Sequence, residues 1–118
     1  MKDFRNYQML KLSHQIVLLV YKYSQDFPWE ETNGITSQLR FTALSIPKGI
    51  SEMISRDLNN GYDFFLNSTK SSINKLRYLL MLSFHLGYLR KGDRKNILEK
   101  VSDLKKELNS INNEVEVN

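Results

Sequence analysis

A proline lies inside the helical pattern around which the rest of the chain is organised. Between Gly34 and Met53, apolar residues recur at steps of three and four, which places them on one face of a helix predicted from about Thr36 to about Asp57. Pro47 has no N–H to donate to the Ala43 carbonyl, and such a residue costs about 3 kcal/mol in an unadapted helix. The pattern therefore predicts a kinked helix. The apolar face comprises Ile35, Leu39, Ala43, Ile46, Ile50 and Met53.

Small residues surround the proline and favour a tolerated bend. Thr42, Ala43, Ser45 and Gly49 leave room for it, and a hydroxyl at position 42 or 45 could reach a freed carbonyl. The expectation is a kinked core helix without a direct chemical role.

Two further helices follow in the sequence. A third helix is predicted from about Tyr62 to about Leu86, with a fourth from an N-cap at Asp93 to about Asn112. In the fourth helix apolar residues recur with a seven-residue repeat, and in the third they form a longer stripe along one face. The buried faces are expected to comprise Tyr62, Phe65, Leu66, Thr69, Ile73, Leu76, Leu80 and Ser83 in the third, and Ile97, Val101, Leu104, Leu108 and Ile111 in the fourth.

The first helix, from an N-cap at about Asp3 to about Gln25, has two apolar stripes. The principal one is expected to be Tyr7, Leu10, His14, Val17 and Tyr21, and the second Met9, Leu12, Ile16, Leu19, Val20 and Tyr23. This surplus favours either a subunit contact or packing under the loop at 27–33, and the two remain about equally supported. Four amphipathic helices with short links predict an all-α, antiparallel up-down four-helix bundle.

The first link, from Asp26 to Gly34, is predicted to form a single helical turn beginning near Pro28. Phe27 and Trp29 are expected to plug the end of the bundle. Base stacking is the alternative role for the tryptophan, although packing is favoured because the residue lies beside a proline and among acidic residues.

Length and composition limit the class of protein. The chain has 118 residues and no cysteine, which predicts one domain over residues 1–112, a polar disordered tail over 113–118 and a reducing, cytoplasmic location. The longest apolar run, from Ile16 to Tyr21, is too short for a membrane span. The net charge is +4, but residues 64–100 contain eight basic and two acidic residues, which indicates a polyanionic partner.

Motifs of catalysis and of cofactor or metal binding are not found in the sequence, so no cofactor, metal or enzymatic activity is expected. His14 and His85 lie on different helices without a ligand partner at suitable spacing. The nearest catalytic pattern is that of HEPN-type RNA nucleases, in which an arginine and a histidine are separated by four to six residues. Arg77 and His85 have seven residues between them, which places them about 12 Å apart along a helix.

Several segments resemble the four-helix-bundle family encoded by intervening sequences in bacterial 23S ribosomal RNA, which is related to the accessory variability determinant of diversity-generating retroelements. The likeness covers about residues 4–108. It rests on the segments Phe27-Pro28, Gly34 to Arg40, Ser45-Ile46-Pro47, Glu52, Phe65-Leu66, Ser72, Leu76 to Leu80 and Leu86 to Leu89. The chain departs from the family where Arg40-Phe41 replaces paired arginines and Lys75 replaces a glutamate. The resemblance implies ring-like oligomers of five, a basic surface that binds nucleic acid, and no enzymatic activity.

These observations together predict a homo-oligomer that binds structured RNA or another nucleic acid through cationic side chains. The alternative is a protein-binding scaffold or accessory subunit, for example of a retroelement reverse transcriptase. The primary candidates are Lys70, Arg77, Arg90, Lys91, Arg94 and Lys95. The resemblance adds Arg40, Lys48 and Arg56 on the second helix.

Overall fold

The computed structural model describes the backbone of residues 2–56 and 60–117 and the side chains of residues 3–56 and 60–111. This part of the chain forms four α-helices, one turn of 3₁₀-helix and no strand, so the predicted all-α class is confirmed for it. The elements in chain order are α1 (Lys2–Ser24), the 3₁₀ turn η1 (Trp29–Glu31), α2 (Ile35–Ile54), α3 (Tyr62–His85) and α4 (Lys91–Val117).

Each of the four helices packs against two others. α1 contacts α2 and α4, and α3 contacts the same two helices, with the α2–α3 contact the most extensive. The molecule is elongated, with principal extents of 47 × 25 × 19 Å. This arrangement confirms the predicted four helices around one core, whereas the bend at Pro47 and the ring-like oligomer stay predictions.

The core consists of the stripes that the periodicity indicated on three helices. All six apolar residues predicted for α2 and all five predicted for α4 are buried. On α3, six of the eight predicted residues are buried, and Tyr62 and Phe65 at its N-terminal end are half-buried. Tertiary burial of a single continuous stripe thus holds each of these helices in place.

The orientation predicted for α1 is wrong. Met9, Ile16 and Val20 from the second stripe are completely buried, whereas Tyr7, His14 and Tyr21 from the expected principal stripe are exposed. Aliphatic and thioether side chains lose no hydrogen bond to water on burial, while tyrosine and histidine carry polar atoms that would need partners inside. The polar atoms therefore decide which of two similar stripes faces the core.

α2 runs continuously through Pro47. The Ser45 hydroxyl donates to the Thr42 carbonyl, with 2.6 Å between the oxygens, and lies 2.9 Å from the hydroxyl oxygen of Ser72 on α3. The sequence predicted that a hydroxyl near the proline could reach a freed carbonyl. Ser45 instead bonds the carbonyl one residue before that of Ala43 and links α2 to α3.

The closest approach of α2 and α3 occurs at Gly49. A Cβ atom added at Gly49 would clash with the Thr69 hydroxyl oxygen, which itself donates to the Phe65 carbonyl at 2.7 Å. Ser45 lies opposite Ser72, and Gly49 lies opposite Thr69, so residue numbers rise along α2 as they fall along α3. The two helices therefore run antiparallel, with small side chains between their backbones.

Glycines with positive φ lie at both ends of α3. Gly87 has φ +81°, and the Tyr88 N–H donates to the Ser83 carbonyl at 2.9 Å while the Gly87 N–H donates to Phe84 at 3.0 Å. These two bonds form a Schellman motif, so Gly87 ends α3. Gly61, with φ +94°, precedes α3.

The predicted N-caps are wrong, because Asp3 and Asp93 both lie inside the first turn of their helices. A carboxylate there still interacts favourably with the positive end of the helix dipole. The predicted end of helix two at Asp57 lies outside the described residues.

The division into a bundle over residues 1–112 and a tail over 113–118 stays a prediction, with helical backbone in α4 continuing to Val117. Among the helices of the described residues, none combines the length and the apolar character that crossing a membrane requires.

The Gly49–Thr69 contact generates a stability prediction. Gly49→Ala should gain about 1 kcal/mol of helix propensity but incur about 1–3 kcal/mol from overpacking, since the β-branched Thr69 side chain is buried and its hydroxyl is hydrogen-bonded. We expect net destabilisation of about 1 kcal/mol, measured by urea unfolding.

Gly92→Ala is the matched control, because Gly92 lies in α4 with nothing within 4 Å of an added Cβ atom. This variant should be as stable as the parent or slightly more so. In a Thr69→Ala background, Gly49→Ala should no longer destabilise the protein. An equal loss in both backgrounds would contradict the assigned contact.

Candidate nucleic-acid interface

The turn between α3 and α4 is held in place by Tyr88. Its hydroxyl donates to the Glu31 carboxylate, with 3.0 Å between Oη and Oε2, and its ring centroid lies 5.5 Å from that of Phe27. The hydrogen bond to Glu31 raises the pKa of Tyr88 above its ordinary value, and burial and the nearby carboxylate charges act in the same direction. Tyr88 thus attaches the turn to η1.

A second contact attaches the start of α4 to the end of α1. The Asn96 side-chain amide donates to the Tyr23 hydroxyl, with 2.7 Å between Nδ2 and Oη. Leu89 in the turn is buried in the core. Contacts with η1, with α1 and with the core therefore hold the backbone of residues 88–96 in place. The cations that this backbone carries project from a defined position.

Three of the four cations predicted at this turn are exposed. Arg90, Lys91 and Lys95 make no ion pair or hydrogen bond through their side chains within the described part of the chain. Long cationic side chains with this freedom can contact phosphate groups without first breaking an internal interaction. Asp93 is the one acidic residue between positions 88 and 95, so this segment is strongly positive.

Arg94, the fourth cation, is half-buried. Its guanidinium carbon lies 4.7 Å from the ring centroid of Phe84 on α3, and its Nε is enclosed without a hydrogen-bond acceptor among the described residues. A guanidinium over an aromatic face is stabilised by the ring quadrupole. Arg94 therefore joins α4 to α3, which distinguishes it from its three exposed neighbours.

Two of the three candidates predicted on the second helix are also engaged within the bundle, and one of them, Arg56, lies just beyond the end of α2. Arg40 donates from Nε to the Ser24 hydroxyl at 2.9 Å and lies 4.7 Å over the Tyr21 ring, which joins α2 to α1. Arg56 pairs with Glu52, four residues earlier, at 2.9 Å and lies 5.3 Å over the Phe65 ring.

The remaining candidates are spread along the bundle. Lys48 is exposed beside Gly49, and Lys70 is half-buried beside Thr69, so both lie near the middle of the α2–α3 contact. Arg77 is exposed further along α3. The structure therefore brings Arg90, Lys91, Arg94 and Lys95 together at one end, with Arg40 near the same end and Arg56 at the opposite end.

The predicted plug at the end of the bundle is half right. Phe27 is 7% exposed and packs against Tyr88, whereas Trp29 is 81% exposed, so the prediction of a packing role for Trp29 is wrong. The bulky indole lies on the surface of η1, two residues from Glu31, which contacts the basic turn through Tyr88.

The alternative catalytic pair does not form a compact site. Arg77 and His85 are both exposed on α3 and stand eight residues apart, a separation of about 12 Å along the helix. The ring of His85 lies 5.8 Å from that of Phe84. Among the described residues, histidines and carboxylates form no group of three or more that could hold a metal ion.

Sequence reasoning missed the contacts of the turn itself. Glu31 and Tyr88 are 57 residues apart, and Tyr23 and Asn96 are 73 apart, so no spacing rule connects them. The signal in the sequence was the chemistry of the two side chains. A tyrosine beside a helix-ending glycine needs a polar partner if it is partly buried, and so does a glutamate in the first link.

The chain matches a known family over most of its length. The model of the 23S rRNA-intervening sequence proteins matches residues 5–110, and the chain belongs to this family. The four helices lie almost entirely within the matched segment. Comparison with curated proteins gives no match.

The Tyr88–Glu31 contact predicts a dependence of stability on alkaline pH. Because the folded-state pKa of Tyr88 lies above its ordinary value of about 10, the stabilising contribution of this hydrogen bond is complete below pH 10 and is lost as the pH rises through the folded-state value. The difference in unfolding free energy between the parent and Tyr88→Phe should therefore be constant up to about pH 10 and shrink above it.

Glu31→Gln provides the control, because it removes the charge but keeps the shape. The pKa of Tyr88 should move back toward its ordinary value in this variant, as followed by the ring-carbon chemical shifts of Tyr88. An unchanged Tyr88 titration would show that Glu31 does not cause the shift.

Proposed function

We propose that this member of the 23S rRNA-intervening sequence protein family is a non-enzymatic, self-associating up-down bundle that binds structured RNA through phosphate contacts at the α3–α4 turn. The observation that carries the proposal is the group of Arg90, Lys91 and Lys95, which are exposed, unpaired among the described residues and carried by a fixed backbone. Arg77, Lys70 and Lys48 extend the same interface along the bundle.

The internal contacts of the other arginines refine this interface. Arg40, Arg56 and Arg94 lie over aromatic rings, so each would lose a stabilising contact if it turned toward a phosphate. Their charges contribute to the electrostatic field around the molecule, while direct phosphate contacts fall to the exposed cations. Recognition by phosphate and shape suits structured RNA, whose deep major groove is closed to side chains.

Self-association is supported by the outer face of α1. Exposed residues recur there at alternating steps of three and four, which is the spacing of a helix-pairing seam. Six residues form this outer stripe, and four of them are large and apolar: Phe4 is 63% exposed, Tyr7 61%, Leu18 55% and Tyr21 39%. The complete outer stripe of α1 is Phe4, Tyr7, Lys11, His14, Leu18 and Tyr21.

Assembly would strengthen a binding surface that is weak in one copy. A ring of five, which the family resemblance implies, would repeat the basic turn around an axis and add the fields of its copies. The net charge of +4 on a single chain is modest, so repetition supplies much of the attraction for a polyanion in this proposal.

The same exposed stripe supports the second candidate function, a protein-binding scaffold. A helix face with exposed apolar residues at this spacing can receive a helix of another protein as well as a second copy. The oligomeric state of the purified chain distinguishes the two functions. A scaffold that uses this face for its partner should purify as a single copy, whereas the self-associating RNA-binding protein should purify as an oligomer.

The outer stripe of α1 gives a prediction on assembly. Leu18→Glu places a carboxylate in the C-terminal half of the stripe, and burying it without a partner should raise the dissociation constant of the assembly by about 100-fold or more. Sedimentation velocity over a range of protein concentrations measures this change.

Phe64→Glu is the matched control, because Phe64 is similarly exposed but lies on α3. This variant should assemble like the parent protein. A parent chain that sediments as a monomer would contradict self-association, and equal loss in both variants would contradict the choice of α1.

The basic turn gives a prediction on RNA binding. Replacing Arg90, Lys91 and Lys95 together by glutamine should reduce the slope of log affinity against log salt by about 2–3 per chain, because each lost phosphate contact removes roughly 0.7–0.9 from that slope. Fluorescence anisotropy with a labelled RNA hairpin at several salt concentrations measures it.

The control variant replaces Lys75, Lys105 and Lys106 by glutamine, which removes the same amount of charge elsewhere on the molecule. It should leave most of the slope in place, since these lysines lie outside the turn. Equal slopes in the two triple variants would show that only net charge matters. Failure of the parent protein to bind at low salt would contradict RNA binding altogether.

A further inference from the structure

We propose that Trp29 is a stacking platform for an unpaired nucleobase, on a strand whose phosphates lie against Arg90 and Lys91. The inference rests on the proposed RNA-binding function and narrows its substrate class to RNA with unpaired nucleotides, such as hairpin loops. It assigns a role to the most exposed aromatic side chain of the described residues.

The indole is available for stacking. Trp29 is 81% exposed, and its ring makes no aromatic or cation–π contact with any described residue. Phe27, two residues earlier, is buried against Tyr88 and serves as the packing residue of this link. An aromatic face open to solvent presents the surface on which a base stacks, with little dependence on base identity.

The backbone that carries Trp29 is rigid. The Glu31 N–H donates to the Pro28 carbonyl at 2.9 Å, and the Thr32 N–H and hydroxyl both donate to the Trp29 carbonyl, at 3.0 and 2.6 Å. Pro28 has its φ restricted by its own ring. A base that stacks on Trp29 therefore meets a side chain whose backbone is already ordered, which lowers the entropic cost of binding.

The platform lies beside the basic turn. Glu31, at the end of η1, contacts Tyr88, and Arg90 and Lys91 follow Tyr88 by two and three residues. Two residues span at most about 7 Å of chain, so the indole and the cations lie within the reach of a few nucleotides. A strand can place its phosphates on the cations and turn one base onto the indole.

The acidic residues of η1 oppose this binding in part. Glu30 is exposed beside Trp29 and repels phosphates, whereas the Glu31 carboxylate accepts the hydrogen bond from Tyr88. Glu30 therefore weakens the attraction of a phosphate strand to η1, while Arg90 and Lys91 provide that attraction at the neighbouring turn. Glu30→Gln should strengthen binding for this reason.

Stacking distinguishes unpaired from paired RNA, which phosphate contacts alone do not. Within a duplex, each base is covered by its neighbours, so only a loop, bulge or end offers a free face. Loss of one aromatic platform typically lowers affinity by about 5- to 150-fold for each stacked base.

Because Trp29 is the only tryptophan of the chain, intrinsic fluorescence reports on this residue alone. The test titrates the full chain with three RNA probes: a hairpin with an adenine loop, the same hairpin with an abasic loop, and a blunt duplex with the same number of phosphates. We expect quenching and the tightest binding with the adenine loop only. Trp29→Ala should weaken that complex by tenfold or more, and Trp29→Tyr should restore most of the loss.

Phe64→Ala is the control, because it removes an exposed aromatic residue from the far end of α3. It should bind the adenine loop like the parent protein. Equal binding of all three probes without a change in emission would overturn stacking and leave phosphate binding intact. Binding of no probe at low salt would overturn both proposals, and loss of assembly in Trp29→Ala would identify Trp29 as a subunit contact instead.

Discussion

The close contact between α2 and α3 is the constraint on which the rest of the bundle depends. Gly49 lies against Thr69, and Ser45 bonds Ser72, so the two backbones approach each other through small side chains. This approach brings the large aliphatic residues on either side into dense packing, which is where most of the stabilisation arises. α1 packs on this pair through α2 and α4 packs on it through α3, while α1 and α4 also pack against each other.

Much of this fold is predictable because three helices carry one apolar stripe each. For α2, α3 and α4, a period near 3.6 leaves a single way to face the core, and the structure follows it. α1 has apolar residues on nearly all sides, so periodicity offers two solutions. The choice depends on fine chemistry, namely that Ile16 and Val20 bury more cheaply than Tyr7 and Tyr21, and on the shape of the surface that α2 and α4 present.

The candidate site is predictable in charge but not in geometry. Sequence locates the cations of the α3–α4 turn, yet it does not show that Arg94 is held over Phe84 while Lys95 beside it is exposed. Nor does it separate Phe27 from Trp29, since both are large aromatic residues of one short link. The 3₁₀ turn and the Tyr88 contact decide which ring is covered, and both depend on residues far away in the sequence.

The structure separates the residues that hold the bundle from those whose side chains remain exposed. Arginines over aromatic rings and the Tyr88–Glu31 bond keep the ends of the helices in place, so the exposed cations and the indole need no ordering of their backbone. The two faces of α1 are divided in the same way, since Met9, Ile16 and Val20 are buried in the core and the outer stripe is exposed. The inner face supplies the part of α1 that is buried in the core, and Tyr21, which lies under Arg40, is the residue of the outer stripe for which a contact within the described part of the bundle has been given. The regular spacing of the outer stripe is the feature on which the proposed self-association depends.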